Sequence, residues 1–297
     1  MIEQTPRERP VNILIKAAGY SSILFVTVIF IFLMREGLPA LANVNLSSLL
    51  GTVWYPIEGY FGIWPLFFGS IIVTLTAILI AIPLGVGTSL YISEIAPMWI
   101  KNLLKPLIEI LAGLPSVVLG FIGIQVAVPF MRQFFNLPTG LSGLTGAILL
   151  GFIATPTIVS ISEDALNTVP SAYRQAALAL GATQWQTIWN VTLPAARSGV
   201  ITAVMLGVGR AIGETMAVMM VTGNAPVMPH GLDAIFLPVR TMTATIASEM
   251  GEVATGSPHY QVLFLIGIIL FTLSLTINVI ASWVSTRGRK RSERSLS

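Results

Sequence analysis

The chain has 297 residues, of which 54% are hydrophobic and only 10% are charged, and its formal net charge is +3. Soluble domains carry about 25% charged residues, so this chain lacks the polar side chains needed to cover a water-exposed surface. The composition therefore indicates a protein solvated largely by lipid, and the absence of cysteine excludes disulfides and thiolate metal sites.

The basic residues and the two histidines give no sign of a nucleic-acid or metal site. The lysines and arginines form no stripe interleaved with aromatic side chains, as a nucleic-acid surface would require. His230 and His259 lie between apolar runs and show no ligand spacing. We therefore expect neither a bound metal nor nucleic-acid binding.

Six apolar segments are each long enough to cross a bilayer, which takes about 20 residues of helix. They cover residues 13–34, 66–91, 107–131, 141–161, 198–221 and 261–284. Prolines inside them, at 83, 115, 129 and 156, predict kinks. The sequence thus predicts an all-α, polytopic membrane protein with about six transmembrane helices, in a domain that spans residues 13–284.

Lysine and arginine are distributed unevenly between the two sides that six spans define. Twelve lie on the side of both termini: Arg7, Arg9, Lys16, Lys101, Lys105, Arg174, Arg197, Arg287, Arg289, Lys290, Arg291 and Arg294. Three lie on the other side: Arg35, Arg132 and Arg240. By the positive-inside rule, residues 1–12 and 285–297 are cytoplasmic tails.

The N-terminus also has the layout of a signal peptide. Basic residues precede an apolar stretch, and Ala40-Leu41-Ala42 has the small-x-small form of a cleavage site. The apolar stretch is longer than a usual signal sequence, and Arg35 and Glu36 intervene before this site. We therefore expect the first helix to be retained, with cleavage as the alternative.

The loop after the fourth span, residues 162–197, contains residues that typically begin and end short helices. Ser162 is expected to cap a first turn, and the composition of residues 171–180 favours a helix. Residues 183–186 have the form of a capping box that starts another helix, which Leu193-Pro194 ends. The pattern predicts a helix–turn–helix between two spans.

This loop resembles the EAA motif of ABC importer permeases, which reads Glu-Ala-Ala, three residues, Gly, nine residues and Ile-x-Leu-Pro. The matching residues are Gln175, Ala176, Ala177, Gly181, Val191, Leu193 and Pro194. The spacing matches throughout, although Gln175 replaces Glu and Val191 replaces Ile. In that family the loop docks into a cleft of the ATP-binding subunit, so the resemblance implies that residues 175–194 form a docking segment.

No nucleotide-binding motif accompanies the docking segment. A P-loop needs a Gly-Lys pair, and the sequence contains none. The resemblance therefore implies a bacterial inner-membrane subunit that works with a second homologous permease, two ATP-binding subunits and an external substrate-binding protein. ATP and Mg²⁺ are expected on the partner ATPase, and no cofactor is expected in this chain.

Arg210 and Glu214 are charged residues within the apolar fifth segment. A charge at the bilayer centre costs at least about 2.5–3.5 kcal/mol, which favours a functional role. Their i, i+4 spacing predicts one shared helix face, with an ion pair that fixes a helix interface as the structural alternative. Gly209-x-x-x-Gly213 predicts a close helix contact nearby.

Two segments resemble the signatures of phosphate-specific permeases, of the PstC type rather than the PstA type. They are residues 209–218, continued by Thr222-Gly223-Asn224, and residues 111–118. The resemblance implies phosphate as the substrate and Arg210 and Glu214 as residues of its pathway. A guanidinium fork matches a tetrahedral oxyanion, and Glu214 is expected to temper the attraction so that the anion is released.

Two long loops lie on the expected outer side, at residues 35–65 and 222–260. The apolar spacing from Met242 to Val253 predicts an interfacial helix in the second loop. The resemblance implies that such loops meet the binding protein. Three alternatives stay open: an importer for molybdate or sulfate, an ATP-independent channel or secondary transporter, and, least favoured, an intramembrane enzyme.

Overall fold

The computed structural model describes residues 9–294, and most of these residues are helical. The α-helices are α1 (Arg9–Gly37), α2 (Ala40–Asn43), α3 (Leu46–Leu49), α4 (Trp64–Leu90), α5 (Met98–Gly113), α6 (Ser116–Ile122), α7 (Val128–Phe134), α8 (Gly143–Asn167), α9 (Ser171–Ala179), α10 (Gln184–Thr187), α11 (Leu193–Gly213), α12 (Met216–Val221), α13 (Met242–Glu249) and α14 (Pro258–Arg294).

Three π-helical turns and a small hairpin complete the architecture. The π-turns are Tyr91–Ile95 after α4, Gly123–Ala127 between α6 and α7, and Ile188–Thr192 between α10 and α11. Short 3₁₀ turns cover Pro56–Glu58 and Leu232–Phe236. Two strands, β1 (Trp54–Tyr55) and β2 (Tyr60–Phe61), pair antiparallel, with Trp54 opposite Phe61.

The described residues contain six helical stretches long and apolar enough to cross a membrane, which agrees with the number expected. They are Val11–Asn43, Trp64–Ile95, Ser116–Phe134, Gly143–Asn167, Gln184–Gly213 and Pro258–Ile280. Large apolar side chains on α1, α5 and α6 are exposed, as lipid-facing residues are in a membrane protein.

The centre of the bundle is α8, which packs between α4 and α11. Ile158 of α8 is buried and fills the space that Gly85 of α4 and Gly207 of α11 leave open. A Cβ atom at either glycine would collide with the Ile158 side chain. The three helices therefore approach closely through small residues, as membrane helices commonly do.

The third span begins later than predicted. The predicted segment 107–131 crosses a break at Leu114 and Pro115, which are extended, and the spanning stretch starts at Ser116. Residues 98–113 form the separate helix α5, in which no residue is buried. The break follows from Pro115, because a proline disfavours helical backbone in the residue before it.

The loop predicted at 162–197 is shorter and more helical than expected. Helix α8 continues to Asn167, so Ser162 is a buried residue inside α8 and not a cap. Leu193 and Pro194 do not end a helix either. They lie at the start of α11, directly after the π-turn Ile188–Thr192, in a helical stretch that runs without interruption from Gln184 to Gly213. The π-turn changes the backbone hydrogen-bond register there, and prolines and π-turns are both places where helices bend.

Helix α13 confirms the helix predicted after residue 241 but not its interfacial position. Met242, Ala244 and Thr245 are fully buried, and α13 packs against α4 and α14. At the other end of the chain, α14 runs to Arg294, so the basic segment from residue 285 to 294 continues the last helix.

Candidate functional site

Arg210 lies in the last turn of α11 and joins three helices. Its Nη1 donates to Thr157 Oγ1 of α8 at 2.9 Å, and its Nη2 donates to the carbonyl oxygen of Ala112 in α5 at 3.2 Å. Ala112 and Arg210 belong to the two signature segments at 111–118 and 209–218. The structure therefore brings together two segments that are about a hundred residues apart in the chain.

Helix α11 ends at Gly213, so Arg210 and Glu214 do not share a helix face as predicted. Glu214 is extended, with φ −68° and ψ 128°, and α12 begins at Met216. Across residues 9–294, the ion pairs do not include one between Arg210 and Glu214. Within the described residues no helix packs closely on Gly209 or Gly213, because a Cβ at either position would meet nothing within 4 Å.

The carboxylate of Glu214 turns instead toward the start of α12. Its Oε1 accepts from the backbone N–H groups of Thr215, at 3.1 Å, and Ala217, at 3.2 Å. A carboxylate at a helix N-terminus satisfies free N–H groups and lies at the positive end of the helix. Thr243 Oγ1 donates to the Glu214 carbonyl oxygen at 3.2 Å, which fixes the break from the side of α13.

A small cavity of about 10 Å³ lies beside Glu214, and several hydroxyl groups line it. They belong to Ser70 and Thr74 of α4 and to Thr241 and Thr243 at the start of α13. A space of this size holds about one water molecule, so this cavity by itself is too small for an oxyanion.

The docking segment has the local structure that its sequence predicts. Helix α9 is followed by Gly181 at φ +83°, a left-handed conformation that favours glycine. Thr183 and Gln186 form the predicted reciprocal capping box at the start of α10. Gln175, Ala176 and Pro194 are exposed, and Ala177 and Leu193 are partly buried.

Exposed apolar side chains surround this turn. Leu180 is 90% exposed, and Leu178, Trp185 and Trp189 are also exposed. Leu178 and Leu180 lie outside the six spanning stretches. Trp185 and Trp189 lie in the first turns of the fifth stretch, Gln184–Gly213. Exposed apolar patches of this kind occur at contact surfaces with proteins or with the membrane.

Sequence reasoning missed the polar joint that holds the docking segment to the spans. Arg174 pairs with Glu94 of the π-turn after α4, with Nη2 to Oε1 at 2.6 Å. Gln184 Nε2 donates to the Glu94 carbonyl oxygen at 2.9 Å. The only sequence signal was the place of the two charges: Arg174 directly precedes the motif, and Glu94 is an acid at the end of an apolar run.

A second polar network, also missed, lies at the opposite end of the bundle. Glu249 accepts from Arg240 Nη1 at 2.7 Å and from Trp54 Nε1 at 3.1 Å, and it contacts His259 Nε2 at 2.7 Å. The network ties the hairpin of β1 and β2 to α13 and to the start of α14. Trp54 is thus a buried structural residue.

Residues 81–290 match the profile of a family described as "Binding-protein-dependent transport system inner membrane component". The chain belongs to this family. The matched residues include Arg210, Glu214 and the docking segment, so both candidate sites lie in the part of this permease that defines the family.

Relatives of the permease extend over most of its length. A "Probable ABC transporter permease protein YqgH" of Bacillus subtilis is 41% identical over 266 residues, covering 88% of this chain and 85% of the relative. A "Phosphate transport system permease protein PstC" of Mesorhizobium japonicum is 33% identical and covers 92% of this chain and 88% of the relative. A "Probable phosphate transport system permease protein PstC" of Methanocaldococcus jannaschii is 31% identical, with 90% of each chain covered.

Solved ABC importers share the fold of the permease at low sequence identity. A chain of a bacterial alginate ABC transporter, crystallised with its periplasmic protein, superposes with a TM-score of 0.59 and 12% identity, covering 93% of this chain and 96% of that one. A chain of the inward-facing MetNI methionine ABC transporter gives 0.56 and 19% identity, covering 76% and 94%. The fold is therefore that of an ABC importer permease, as the sequence predicted.

Proposed function

We propose that this permease is one half of the membrane channel of an ATP-driven importer that moves inorganic phosphate into the cell. Relatives named as phosphate transport permeases align with it over nearly the whole chain. The observation that carries the proposal is the position of Arg210, whose guanidinium joins the two segments that resemble phosphate-permease signatures.

The contacts of Arg210 leave its charge available to an anion. Within residues 9–294 its hydrogen-bond partners are a hydroxyl and a backbone carbonyl, which are both neutral. A guanidinium stays protonated at any biological pH and presents paired N–H groups that suit a tetrahedral oxyanion.

Glu214 gives the pathway a means of distinguishing anions. Near neutral pH phosphate carries at least one proton and sulfate carries none. An ionised carboxylate only accepts hydrogen bonds, so Glu214 favours a P–OH group and repels a fully ionised anion. A site that leaves a polar group unpaired with the wrong ligand discriminates strongly against that ligand.

The docking segment gives this permease its contact with the ATPase. We propose that Gln175, Ala176, Ala177, Gly181, Leu193 and Pro194 couple the permease to an ATP-binding subunit. The exposed Leu180 beside the Gly181 turn supports a protein contact there. The full importer then contains a second, PstA-like permease, two ATP-binding subunits that bind ATP and Mg²⁺, and an external phosphate-binding protein.

The two polar networks support the orientation proposed for the membrane. Lys101, Lys105 and Arg174 lie at the end of the bundle that carries the docking segment, in contact with Ser93, Glu163 and Glu94 respectively. Arg240 lies with the hairpin at the other end. By the positive-inside rule, the docking end and both termini are cytoplasmic.

Growth on limiting phosphate tests the proposal. A bacterial host without its own high-affinity phosphate importer receives the permease with its partner subunits. We expect the wild type to restore growth and the Arg210→Gln variant to fail, while Arg132→Gln, which changes an exposed arginine, behaves as the wild type. Restored uptake of sulfate or molybdate, with no effect on phosphate, would overturn the choice of substrate.

A further inference from the structure

Helix α9, which contains the start of the docking segment, makes little hydrophobic contact with the rest of the described chain. None of its residues is buried. Leu178 is half exposed, and Leu180, which follows the helix, is almost fully exposed. Its attachment to the spans must therefore come from other contacts.

Arg174 supplies those contacts from the middle of α9. Its Nε lies 3.2 and 3.1 Å from the two carboxylate oxygens of Glu94, and its Nη2 lies 2.6 Å from Oε1. Nη1 also donates to the carbonyl oxygen of Val169 at 2.8 Å, and Nη2 donates to that of Leu166 at 2.9 Å. All three nitrogens are engaged, and the Glu94 side chain is only 7% exposed. A guanidinium bonded on several sides fixes the orientation of α9 relative to Glu94 as well as the distance between them.

The π-turn that carries Glu94 connects two further pieces of the structure. The Glu94 carbonyl oxygen accepts from Gln184 of α10, the second half of the docking segment. The carbonyl oxygen of its neighbour Ser93 accepts from Lys101 Nζ of α5 at 2.8 Å. Single π-turns inside helices are frequent at functional positions. This turn thus holds both halves of the docking segment and the start of α5.

Both elements that meet at this turn extend to the proposed anion pathway. Helix α4 runs about 40 Å along the bundle, from 27 residues at 1.5 Å each, and its Ser70 and Thr74 line the cavity beside Glu214. Helix α5 ends at Gly113, next to the Ala112 carbonyl that accepts from Arg210. A displacement of the π-turn therefore moves the two helices that lie against Arg210 and Glu214, the charged residues of the pathway.

We propose that Glu94 and Arg174 are positioning residues for coupling: the pair transmits movement of the ATPase-docking segment to α4 and α5. This inference rests on the proposed function, because it assumes that residues 175–194 dock to the ATPase and that the anion passes Arg210. The pair touches neither ATP nor the anion. It sets how much transport each hydrolysis produces.

The test is the ratio of phosphate transported to ATP hydrolysed, measured with the whole importer in proteoliposomes. We compare Glu94→Gln, Arg174→Met and the double variant Glu94→Gln/Arg174→Met with the wild type. Each single variant is expected to lower the ratio by about tenfold, within the range of coupling between linked sites. The double variant leaves neither charge buried alone, so it is expected to recover thermal stability while its ratio stays low. Arg174→Lys, which keeps the charge but loses the fork, is expected to recover part of the ratio.

A matched control lies at the same end of the bundle. Glu163→Gln breaks the Lys105–Glu163 pair, whose carboxylate is similarly buried but holds neither α9 nor α10, and it is expected to leave the transport ratio unchanged. A wild-type ratio in both single variants would overturn the inference, as would a double variant in which stability and ratio recover together, because that result assigns the pair a structural role. A wild-type importer that moves no phosphate would instead overturn the proposed function.

Discussion

Alanine at Gly181 tests the docking segment through backbone strain alone. Gly181 has φ +83°, and a Cβ added there would meet nothing within 4 Å, so the substitution introduces no clash within the described chain. A residue with a Cβ in the left-handed region costs about 1–2 kcal/mol. In the free permease the turn can relax into another conformation. The docked state requires the native turn and so carries the penalty.

The expected result is a weaker complex with the ATPase, by a factor of about 5–30 for 1–2 kcal/mol. The assay titrates the purified permease in detergent with the ATP-binding subunit. Gly181→Asn is expected to bind nearly as the wild type does, because asparagine tolerates the left-handed region. Gly87→Ala is the matched control, since Gly87 lies in α4 and its added Cβ also meets nothing within 4 Å. Equal affinities for wild type and Gly181→Ala would refute the reasoning, and so would an equal loss in Gly87→Ala.

Three further substitutions test the bundle and the pathway. Gly207→Ala places a Cβ against the Ile158 side chain, so we expect the free energy of unfolding to fall by about 1–3 kcal/mol. Adding Ile158→Val is expected to restore part of that stability, and an unchanged unfolding temperature in Gly207→Ala would contradict the close packing. Arg210→Gln is expected to reduce uptake of phosphate and of competing oxyanions alike, by at least about tenfold, because the contact with a charged group is lost. Unchanged uptake would show that Arg210 does not contact the transported anion. Glu214→Gln keeps an Oε1 that accepts from Thr215 and Ala217, so stability should change by less than about 1 kcal/mol while sulfate competes better with phosphate in uptake assays. An unchanged phosphate-to-sulfate ratio would leave Glu214 only its role at the start of α12.

The number of spans was predictable because the bilayer sets the length of an apolar helix. The ends of the spans were less predictable where a break lies inside an apolar run. At Pro115 the signal was present, since proline restricts the residue before it. At Glu214 the local signal was weak: Gly213 and Thr215 are poor helix formers, but they lie inside an apolar run. The Glu214 carbonyl oxygen also accepts from Thr243, 29 positions away, and no local rule predicts that contact.

The same contrast holds within the candidate sites. The Gly181 turn and the capping box of Thr183 and Gln186 follow local rules, so the sequence alone predicted them. The joint between Arg174 and Glu94 connects residues 80 positions apart, and no local rule pairs them. The prediction that Arg210 and Glu214 share a helix face was wrong, because i, i+4 spacing places two residues on one face only in a continuous helix and α11 ends at Gly213.

Uptake of labelled phosphate by the purified importer tests the central claim most directly. The permease, its partner permease, the ATPase and the phosphate-binding protein are reconstituted so that the binding protein meets the face with Trp54 and Arg240. We expect phosphate to enter the vesicles only with hydrolysable ATP, and excess sulfate or molybdate not to compete. Uptake that continues without ATP would contradict the account, and so would ATP-driven uptake of sulfate or molybdate in place of phosphate.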